Sequence, residues 1–360
     1  MAPTPSSDGF FQPAEWTPHS AVWLAWPSHA DLWLEALEPV REAFLQFVRA
    51  ITNPDPVSGV PRGEGIELLV GDAENEALAR ERLRGLPVRF HRIPFGDIWL
   101  RDTAPVFLKR RNGQTGEPDE IGGIACASFA FNGWGGKYVL PFDDQVSARV
   151  AEASAAASGT NVYRFPFVLE GGSVEVDGEG TCLTTRQCLL NPNRNPGLGS
   201  DVLEEHLRAS LGVRTVLWLG DGLLNDHTDG HIDTVARFIA PGRVVCMVPA
   251  SDDPNREVLE TIRRDLASFR DARGRRLRVE TIPSPGRVVD EGGKPMAASY
   301  VNFYIANTTV IIPRYGAPAD SDALRRVGNL FPGRRAVGVP AKDLLAGGGA
   351  LHCISQQQPA

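Results

Sequence analysis

Cys353 is the side chain of this sequence that is best suited to act as a nucleophile. It follows three glycines in the segment 347–358, GGGALHCISQQQ. Glycines let backbone amides approach a thiolate closely and permit the positive φ angles of sharp turns, and aligned amides or a nearby histidine lower a thiol pKa. Cys353 is therefore a candidate nucleophile in a flexible segment, provided that the chain also supplies a base and a substrate anchor. The alternative is a small buried hydrophobic side chain beside a flexible tail.

A candidate base stands in the segment 225–233, NDHTDGHID. The alternation that follows predicts a strand over Ile232–Ile239, and residues two apart in a strand share a face, so His231 and Asp233 point together. A histidine beside a carboxylate is typical of a general acid/base with an electrostatic partner. The alternative is a surface turn that enters a strand.

His227 precedes His231 by four residues, which is the spacing of two zinc ligands on one face of a helix. The residues between them include Asp229 and Gly230, which disfavour a helix. We therefore favour solvated or supporting roles for His227 and Asp229. A zinc hydrolase that uses both histidines remains an alternative of a different class.

Two aspartates, a tryptophan and an arginine stand close together in the segment 96–105, GDIWLRDTAP. Carboxylates such as Asp97 and Asp102 suit the edge of a planar cation, and an aromatic face such as that of Trp99 suits its flat side. The alternative is a loop in which Arg101 pairs internally with an aspartate.

Two further segments could contribute to a site. Glu170 precedes two glycines in LEGGSVEV, residues 169–176, where close backbone approach is allowed, although an ordinary turn between strands has the same pattern. The segment 132–138, NGWGGKY, is an aromatic-bearing loop that is either a lid over a site or a plain surface loop.

The composition indicates a globular enzyme. The 360 residues are 42% hydrophobic and 22% charged, as in ordinary globular proteins. A net charge of −7 without a basic block argues against nucleic-acid binding. Residues 1–16 lack a signal-peptide pattern and no run approaches the roughly 18 apolar residues of a membrane span, so we expect a cytoplasmic location.

We predict that the remaining cysteines are buried, reduced thiols. Five cysteines are an odd number and lack the CxxC spacing of a structural zinc site. Free cysteine is among the residue types that are most often buried. The four thiols concerned are Cys126, Cys182, Cys188 and Cys246.

Patterns typical of helices and of strands alternate along the chain. The elements that they predict must position these side chains. The predicted helices are Glu35–Ile51, Ala73–Gly85, Gln145–Ala157, Ser200–Leu211, Arg256–Phe269 and Ser321–Leu330. The predicted strands include Ile121–Phe131, Cys182–Leu190, Thr215–Leu219, Arg243–Val248 and Tyr300–Ile305. A helix, a strand and a hairpin recur about every 50–70 residues, which predicts a closed ring or propeller-like array around one core. We expect one domain over residues 1–360.

The same segments, in this order, resemble the agmatine deiminase family, which includes bacterial-type peptidylarginine deiminases. The matching segments are AEWTPHSAVWLAWP, DIWLRDTAP, FNGWGGKY, LEGGSVEVDG, DHTDGHIDTVARF, SYVNFYIANTTVIIPRYG and GGGALHCISQQQP, which run from residue 14 to residue 359. The resemblance implies a pentein, that is, a five-fold pseudosymmetric α/β propeller. It also implies a homodimer.

The resemblance assigns roles to the candidate residues. It makes Cys353 the nucleophile and His231 the general acid/base, with Asp102 and Asp233 holding the guanidinium nitrogens. Glu170 matches a family acidic residue that supports the histidine or the substrate. The substrate-binding candidates are completed by Trp99 and Asp97, and Asp229 is an accessory candidate.

The implied reaction is hydrolysis of a guanidinium through a covalent S-alkylthiouronium, without a metal or an organic cofactor. The favoured substrate is agmatine, which gives N-carbamoylputrescine and ammonia in putrescine and polyamine biosynthesis. The alternatives are deimination of arginine in peptides and a non-catalytic guanidine-binding protein.

Overall fold

The computed structural model describes residues 3–111 and 123–360. The strands in these ranges are β1 (Phe10–Phe11), β2 (His19–Ala25), β3 (Gly65–Val70), β4 (Val88–Arg92), β5 (Val106–Arg110), β6 (Ile124–Ala130), β7 (Asn161–Val168), β8 (Glu175–Val176), β9 (Thr181–Thr185), β10 (Thr215–Leu219), β11 (Ala236–Ala240), β12 (Arg243–Val248), β13 (Arg278–Pro283), β14 (Tyr304–Ile305), β15 (Thr309–Arg314), β16 (Arg335–Pro340) and β17 (Gln356–Pro359). The first residues of the strand predicted at 121–131 lie outside the described ranges, and its described part is β6.

The helices of the described residues are α1 (Ala30–Trp33), α2 (Leu37–Thr52), α3 (Ala73–Arg82), α4 (Leu100–Thr103), α5 (Gly133–Gly136), α6 (Asp143–Ser158), α7 (Arg186–Leu189), α8 (Ser200–Leu211), α9 (Arg256–Ser268), α10 (Asp320–Leu330) and α11 (Lys342–Ala346). All six helices predicted from the sequence are present within a few residues of their expected bounds. Their signal is strong because each long helix must bury one face at a period of 3.6 residues.

One structural unit is repeated in five small sheets. In the third sheet, for example, β11 pairs antiparallel with β12, and β12 pairs parallel with β13 after the crossover helix α9. The same ββαβ order connects β5–β6–β7, β8–β9–β10 and β14–β15–β16. The recurrence predicted from the sequence is therefore confirmed, and its unit is ββαβ.

The remaining sheet joins the two ends of the chain. The last strand, β17, pairs antiparallel with β2, with Gln356 opposite Trp23, while β2, β3 and β4 are mutually parallel. The C-terminal strand thus supplies the hairpin partner that the first unit lacks in sequence order. Because Cys353 lies three residues before β17, this closure also fixes the candidate nucleophile.

The core is formed mainly by the inner faces of these sheets and the helices that cover them. The largest cluster of buried apolar side chains runs from Val22 to Ile354 along the chain, and α2 contributes Phe44 and Phe47, both fully buried. Burial of one such ring stabilises the fold by about 1.5–3 kcal/mol. No helix in the described ranges combines the length and the apolar character that crossing a membrane requires.

Three strand predictions are wrong in part. In Cys182–Leu190 the strand ends at Thr185, whose hydroxyl accepts a hydrogen bond from the Cys188 amide and so begins α7. In Tyr300–Ile305 only the last two residues pair as β14. Buried apolar residues give the same pattern in strands and in buried turns, so periodicity does not separate them.

The third strand prediction that is wrong in part is Ile232–Ile239, which directly follows the predicted base His231. Ile232–Thr234 form a 3₁₀ turn, and β11 begins only at Ala236. The Thr234 hydroxyl donates to the His231 carbonyl at 2.9 Å and so stabilises the turn. Threonine side chains commonly compete with strand pairing in this way.

Candidate active site

Four of the candidate residues, Asp97, Trp99, Asp102 and Cys353, line a cavity of about 280 Å³. Its walls are formed by Leu32, Trp33, Asp97, Trp99, Asp102, Trp134, Tyr138, Leu140, His227, Thr228, Cys353 and residues 346–348. Aromatic side walls and a few carboxylates suit an organic cation with an apolar body.

Cys353 lies at this cavity in a packed segment. Residues 349–356 are all buried, so the prediction of a flexible tail is wrong. A Cβ atom on Gly349 would lie 2.7 Å from the Trp99 ring and 2.9 Å from the Cys353 Cβ atom. Glycine is therefore needed here for close packing beside the thiol, and not for mobility.

Polar neighbours surround the Cys353 sulfur. The Asn302 Nδ2 atom donates to Sγ at 3.2 Å, and Asp233 Oδ2 lies 3.7 Å from Sγ. Burial raises the pKa of Cys353 well above its ordinary value, and the charges of Asp233 and Asp102 raise it further against the hydrogen bond from Asn302. Without a bound cation, Cys353 is a thiol at neutral pH.

His231 is brought to the same place by the 3₁₀ turn and not by strand alternation. Its Nδ1 atom lies 3.7 Å from Asp102 Oδ2 and its Nε2 atom lies 3.9 Å from Glu170 Oε2. Burial disfavours the charged ring, but Asp102, Cys188 and Glu170 together raise the pKa of His231 well above its ordinary value. Within the described residues, neither ring nitrogen has a hydrogen-bond partner.

Asp102 lines the same cavity as Cys353, and Asp233 lies beside the Cys353 sulfur. Asp102 accepts hydrogen bonds from the Trp134 indole at 2.8 Å and from the Gly172 amide at 2.9 Å. Asp233 Oδ2 lies 2.7 Å from His352 Nδ1, whereas its Oδ1 atom is buried without a hydrogen-bond partner in the part of the chain that the structure describes. That unused acceptor is available to a bound cation.

Gly172 is the residue that lets these groups converge. A Cβ atom there would lie 2.6 Å from His231 Nδ1, 3.0 Å from Asp102 Oδ1 and 3.1 Å from Asp233 Oδ2. Real Cβ atoms essentially never show the first distance, and the other two are tighter than nine in ten real Cβ contacts, so a larger residue would displace the His231 ring and crowd both carboxylates. The two glycines after Glu170 thus have the close-approach role that the sequence suggested.

Glu170 supports the histidine and is itself held by an arginine. Arg194 Nε donates to Glu170 Oε1 at 2.6 Å, and Arg194 also reaches Asp229 and the Thr228 carbonyl. Burial raises the pKa of Glu170, but the nearby His231 ring and the charge and hydrogen bond of Arg194 lower it overall. Arg194 was not predicted, because nothing in its segment indicates which distant carboxylate it meets.

Asp97, Trp99 and Asp229 lie at or near the cavity in different roles. Asp97 accepts hydrogen bonds from the Trp33 indole at 3.0 Å and the Trp99 indole at 2.8 Å, so its oxygens orient two aromatic walls. Asp229 pairs with Lys137 at 2.8 Å and thereby ties down the loop 132–138.

A buried charge network lies beneath the cavity and was also missed. His352 Nε2 lies 2.8 Å from Glu15 Oε2, which in turn accepts from Arg237 at 2.8 Å. Arg101 donates to Gln356 and Gln357 and pairs with no aspartate in residues 3–111 and 123–360, so the alternative of an Arg101–aspartate pair within its own loop is wrong. These partners are distant in sequence, and only the closed fold brings them together.

One group of donors in the described residues is close enough to share a metal ion. It consists of Glu170, Cys188 and His231, whose donor atoms lie within 4.8 Å of one another. His227 is not part of it, and its ring stacks on Tyr138 at the cavity mouth instead. The zinc hypothesis based on His227 and His231 therefore has no support.

Five ββαβ units arranged around a buried thiol, histidine and carboxylates make this chain a pentein. The family model of the Porphyromonas-type peptidyl-arginine deiminases matches residues 11–359. The chain belongs to this family.

Relatives and solved structures agree over the full length. An agmatine deiminase of Ectopseudomonas mendocina is 39% identical over 381 residues, covering 100% of this chain and 98% of the relative. The structure of the Enterococcus faecalis agmatine deiminase has a TM-score of 0.85 at 34% identity, covering 100% of this chain and 98% of that one. A cysteine-to-serine variant of the C. jejuni agmatine deiminase with substrate bound has a TM-score of 0.83 at 25% identity, covering 98% and 96% of the two chains.

Proposed function

We propose that this protein is an agmatine deiminase, which hydrolyses agmatine to N-carbamoylputrescine and ammonia. The observation that carries the proposal is the buried Cys353 thiol, which shares one aromatic cavity with Asp102 and lies 3.7 Å from Asp233. The full-length relatives that bear this name support the assignment.

Binding begins with the two carboxylates. A guanidinium between Asp102 and Asp233 gains charge-assisted hydrogen bonds, including one to the unused Oδ1 atom of Asp233. The cation offsets the negative field that holds the Cys353 pKa high. The thiol proton then leaves to water as the substrate binds, so the total charge of the cavity is unchanged.

The first half of the reaction forms a carbon–sulfur bond to Cys353 and releases ammonia. The Cys353 thiolate attacks the guanidinium carbon, and orientation by the two aspartates supplies much of the rate. Charged His231 donates its proton to the departing nitrogen, the C–N bond breaks and ammonia leaves. The product of this half is the S-alkylthiouronium on Cys353.

The second half regenerates the enzyme. Neutral His231 accepts a proton from the water that attacks the thiouronium carbon. The C–S bond of the tetrahedral intermediate then breaks while its hydroxyl proton leaves to water, so that the neutral ureido product is released and Cys353 is again a thiolate. Glu170, held by Arg194, stabilises the charged form of His231 through both halves.

The cavity favours agmatine over free arginine. None of the described residues that line it is a lysine or an arginine, so an α-carboxylate would be desolvated there without a cationic partner. Trp33, Tyr138 and Leu140 instead offer apolar surface to a carbon chain. We therefore place the butyl chain of agmatine between these side chains.

The direct experiment measures ammonia release from agmatine, free arginine and an arginine-containing peptide. We expect turnover of agmatine to exceed that of free arginine by at least about 100-fold, because desolvating the unpaired α-carboxylate costs several kcal/mol, and to exceed that of the peptide as well. Equal rates on all three would contradict the agmatine assignment but not deimination. Faster turnover of the peptide would favour the peptidylarginine alternative.

The nucleophile is tested with Cys353→Ser. We expect this variant to lose ammonia release by at least about 10³-fold while retaining its circular dichroism spectrum. Cys246→Ser, which changes a buried thiol outside the cavity, is the control and should keep its activity. Near-normal turnover by Cys353→Ser would overturn the mechanism and favour a binding protein.

A homodimer and a cytoplasmic location remain part of the proposal. Several large apolar side chains are exposed, among them Leu34, Val57 and Val139, and burying such side chains in a subunit interface would be favourable. All five cysteines are unpaired thiols, as a reducing compartment requires. Light scattering after gel filtration tests the dimer, and a monomer mass at micromolar concentration would contradict it.

A further inference from the structure

The thiol of Cys188 lies behind the catalytic histidine and has no part in the proposed reaction. It is fully buried on α7, and its Sγ atom lies 4.0 Å from Glu170 Oε2. His231 Nε2 lies 3.9 Å from the same oxygen. A sulfur, an imidazole nitrogen and a carboxylate oxygen therefore surround one small volume next to the active site.

We propose that Cys188, His231 and Glu170 form an inhibitory site for a thiophilic divalent cation, Zn²⁺ or Cd²⁺. Thiolate and imidazole are the donors that such ions select. Around one zinc ion, bond lengths of about 2.0–2.3 Å place the donor atoms roughly 3.4–3.8 Å apart. The observed separations, all within 4.8 Å, need a contraction of at most about 1.4 Å, and the longer bonds of cadmium need less.

A second observation points to a ligand at this place. His231 is 1% exposed, and its Nε2 atom has no hydrogen-bond partner among the described residues. Glu170 uses Oε1 for Arg194, which leaves Oε2 for another partner. The site thus contains an unused nitrogen and a largely unused oxygen that face a thiol.

The charge balance permits a buried divalent ion. When the metal binds, the Cys188 S–H bond breaks and its proton goes to water, and the charged ring of His231 releases a second proton to free its lone pair. Two protons leave as two positive charges enter, so the net charge of the cluster does not change. Arg194 can therefore remain paired with Glu170.

Inhibition by the metal rests on the proposed function, whereas binding does not. A metal on Nε2 prevents His231 from carrying a proton to the leaving nitrogen, although Cys353 is untouched. Because all three donors are buried, the onset of inhibition should be slow and should depend on preincubation.

Binding is measured in the Cys353→Ser background, where neither turnover nor the nucleophile contributes. Titration with Cd²⁺ should produce the ultraviolet sulfur-to-cadmium charge-transfer absorption, saturating at one equivalent. The same titration of Cys353→Ser combined with Cys188→Ser should lose that absorption. An equal signal from both proteins, or none from the first, would overturn the site.

Inhibition is measured in the active enzyme, with each variant compared with its own metal-free rate. We expect inhibition by Cd²⁺ or Zn²⁺ to be reversed by EDTA and the half-inhibitory concentration to rise at least tenfold in Cys188→Ser. Cys188→Ala is a second variant should the serine variant fail to fold, and Cys246→Ser should keep normal sensitivity. Equal sensitivity of the Cys188 variants would place the inhibition elsewhere and contradict the proposal.

Discussion

Asp102 and Asp233 lie near the same thiol, yet their surroundings shift their pKa values in opposite directions. Burial and the charges of Glu170 and Asp233 raise the pKa of Asp102, against the opposing charge of His231. Burial also raises that of Asp233, but the hydrogen bond and charge of His352 lower it overall. Burial and charge therefore disfavour ionisation of Asp102, whereas His352 favours ionisation of Asp233.

Neutralising either carboxylate should weaken the reaction. A hydrogen bond to a charged group contributes about 1.5–3 kcal/mol, so Asp102→Asn and Asp233→Asn should each lower kcat/KM for agmatine by roughly 10- to 150-fold. Steady-state kinetics measures this loss. Asp201→Asn, on the exposed face of α8, is the control, and unchanged constants in both cavity variants would remove their anchoring role.

The raised pKa of Cys353 predicts how the free enzyme reacts with an alkylating agent. Because the folded pKa lies well above the ordinary value, the thiolate fraction is small at neutral pH and increases with pH. The rate of modification by iodoacetamide without substrate should therefore still be rising at pH 9. Loss of activity and mass spectrometry measure it, and a plateau below pH 7 would contradict a protonated resting thiol.

The residues that sequence could identify are those whose role is visible in a short segment. Cys353, His231 and Asp102 each stand among glycines, aspartates or tryptophans that signal chemistry. Arg194 and His352 do not, because their partners Glu170 and Glu15 lie far away in sequence and meet them only in the folded chain. Which buried charges pair over long distances in sequence depends on the topology of the fold, and a short sequence segment carries no information about that topology.

At the scale of elements, helices were predictable and short turns were not. Ser200–Leu211 has its predicted bounds because an amphipathic helix repeats its signal over three turns. Ile232–Thr234 contains only three residues, and its 3₁₀ geometry depends on the Thr234 hydroxyl and on packing. The turn still brings His231 and Asp233 together beside Gly172, so the two side chains converge as expected but for a different structural reason.

The glycine segment before Cys353 offers a test at this scale. Gly349→Ala would place a methyl group against the Trp99 ring and the Cys353 Cβ atom, so we expect overpacking of about 1–3 kcal/mol and a displaced sulfur. Agmatine turnover and thermal denaturation measure the two effects.

Gly71→Ala is the matched control, because a Cβ atom there meets nothing within 4 Å. It should keep both its activity and its melting temperature. Normal turnover by Gly349→Ala would show that the close packing at this segment does not position the nucleophile.

At the scale of the whole molecule, we propose that the described units fold as one domain. The recurrence of helix, strand and hairpin predicted a ring, but not that β17 would complete the first sheet. Residues 356–359 are three glutamines and a proline, and they show no alternation of apolar and polar side chains. No strand was therefore expected there. The partner that makes them a strand is β2, more than 300 residues earlier in the chain.

Removing residues 356–360 should destabilise the entire protein. The change deletes β17 and takes away the Gln356 and Gln357 side chains that accept hydrogen bonds from buried Arg101. We expect Tm to fall by at least about 5 °C, in a single transition. Calorimetry measures both features, and an unchanged Tm or two separate transitions would contradict a ring closed by its last strand.

Three of the seven tryptophans line the cavity, and two of their indoles are held by Asp97 while the third donates to Asp102. Indole emission depends on the local electric field and on access of water. A guanidinium bound beside Asp102 changes the field at Trp134, and a carbon chain beside Trp33 and Trp99 excludes water. The intrinsic tryptophan fluorescence of the protein should therefore change as substrate occupies the cavity, and no added label is needed to follow binding.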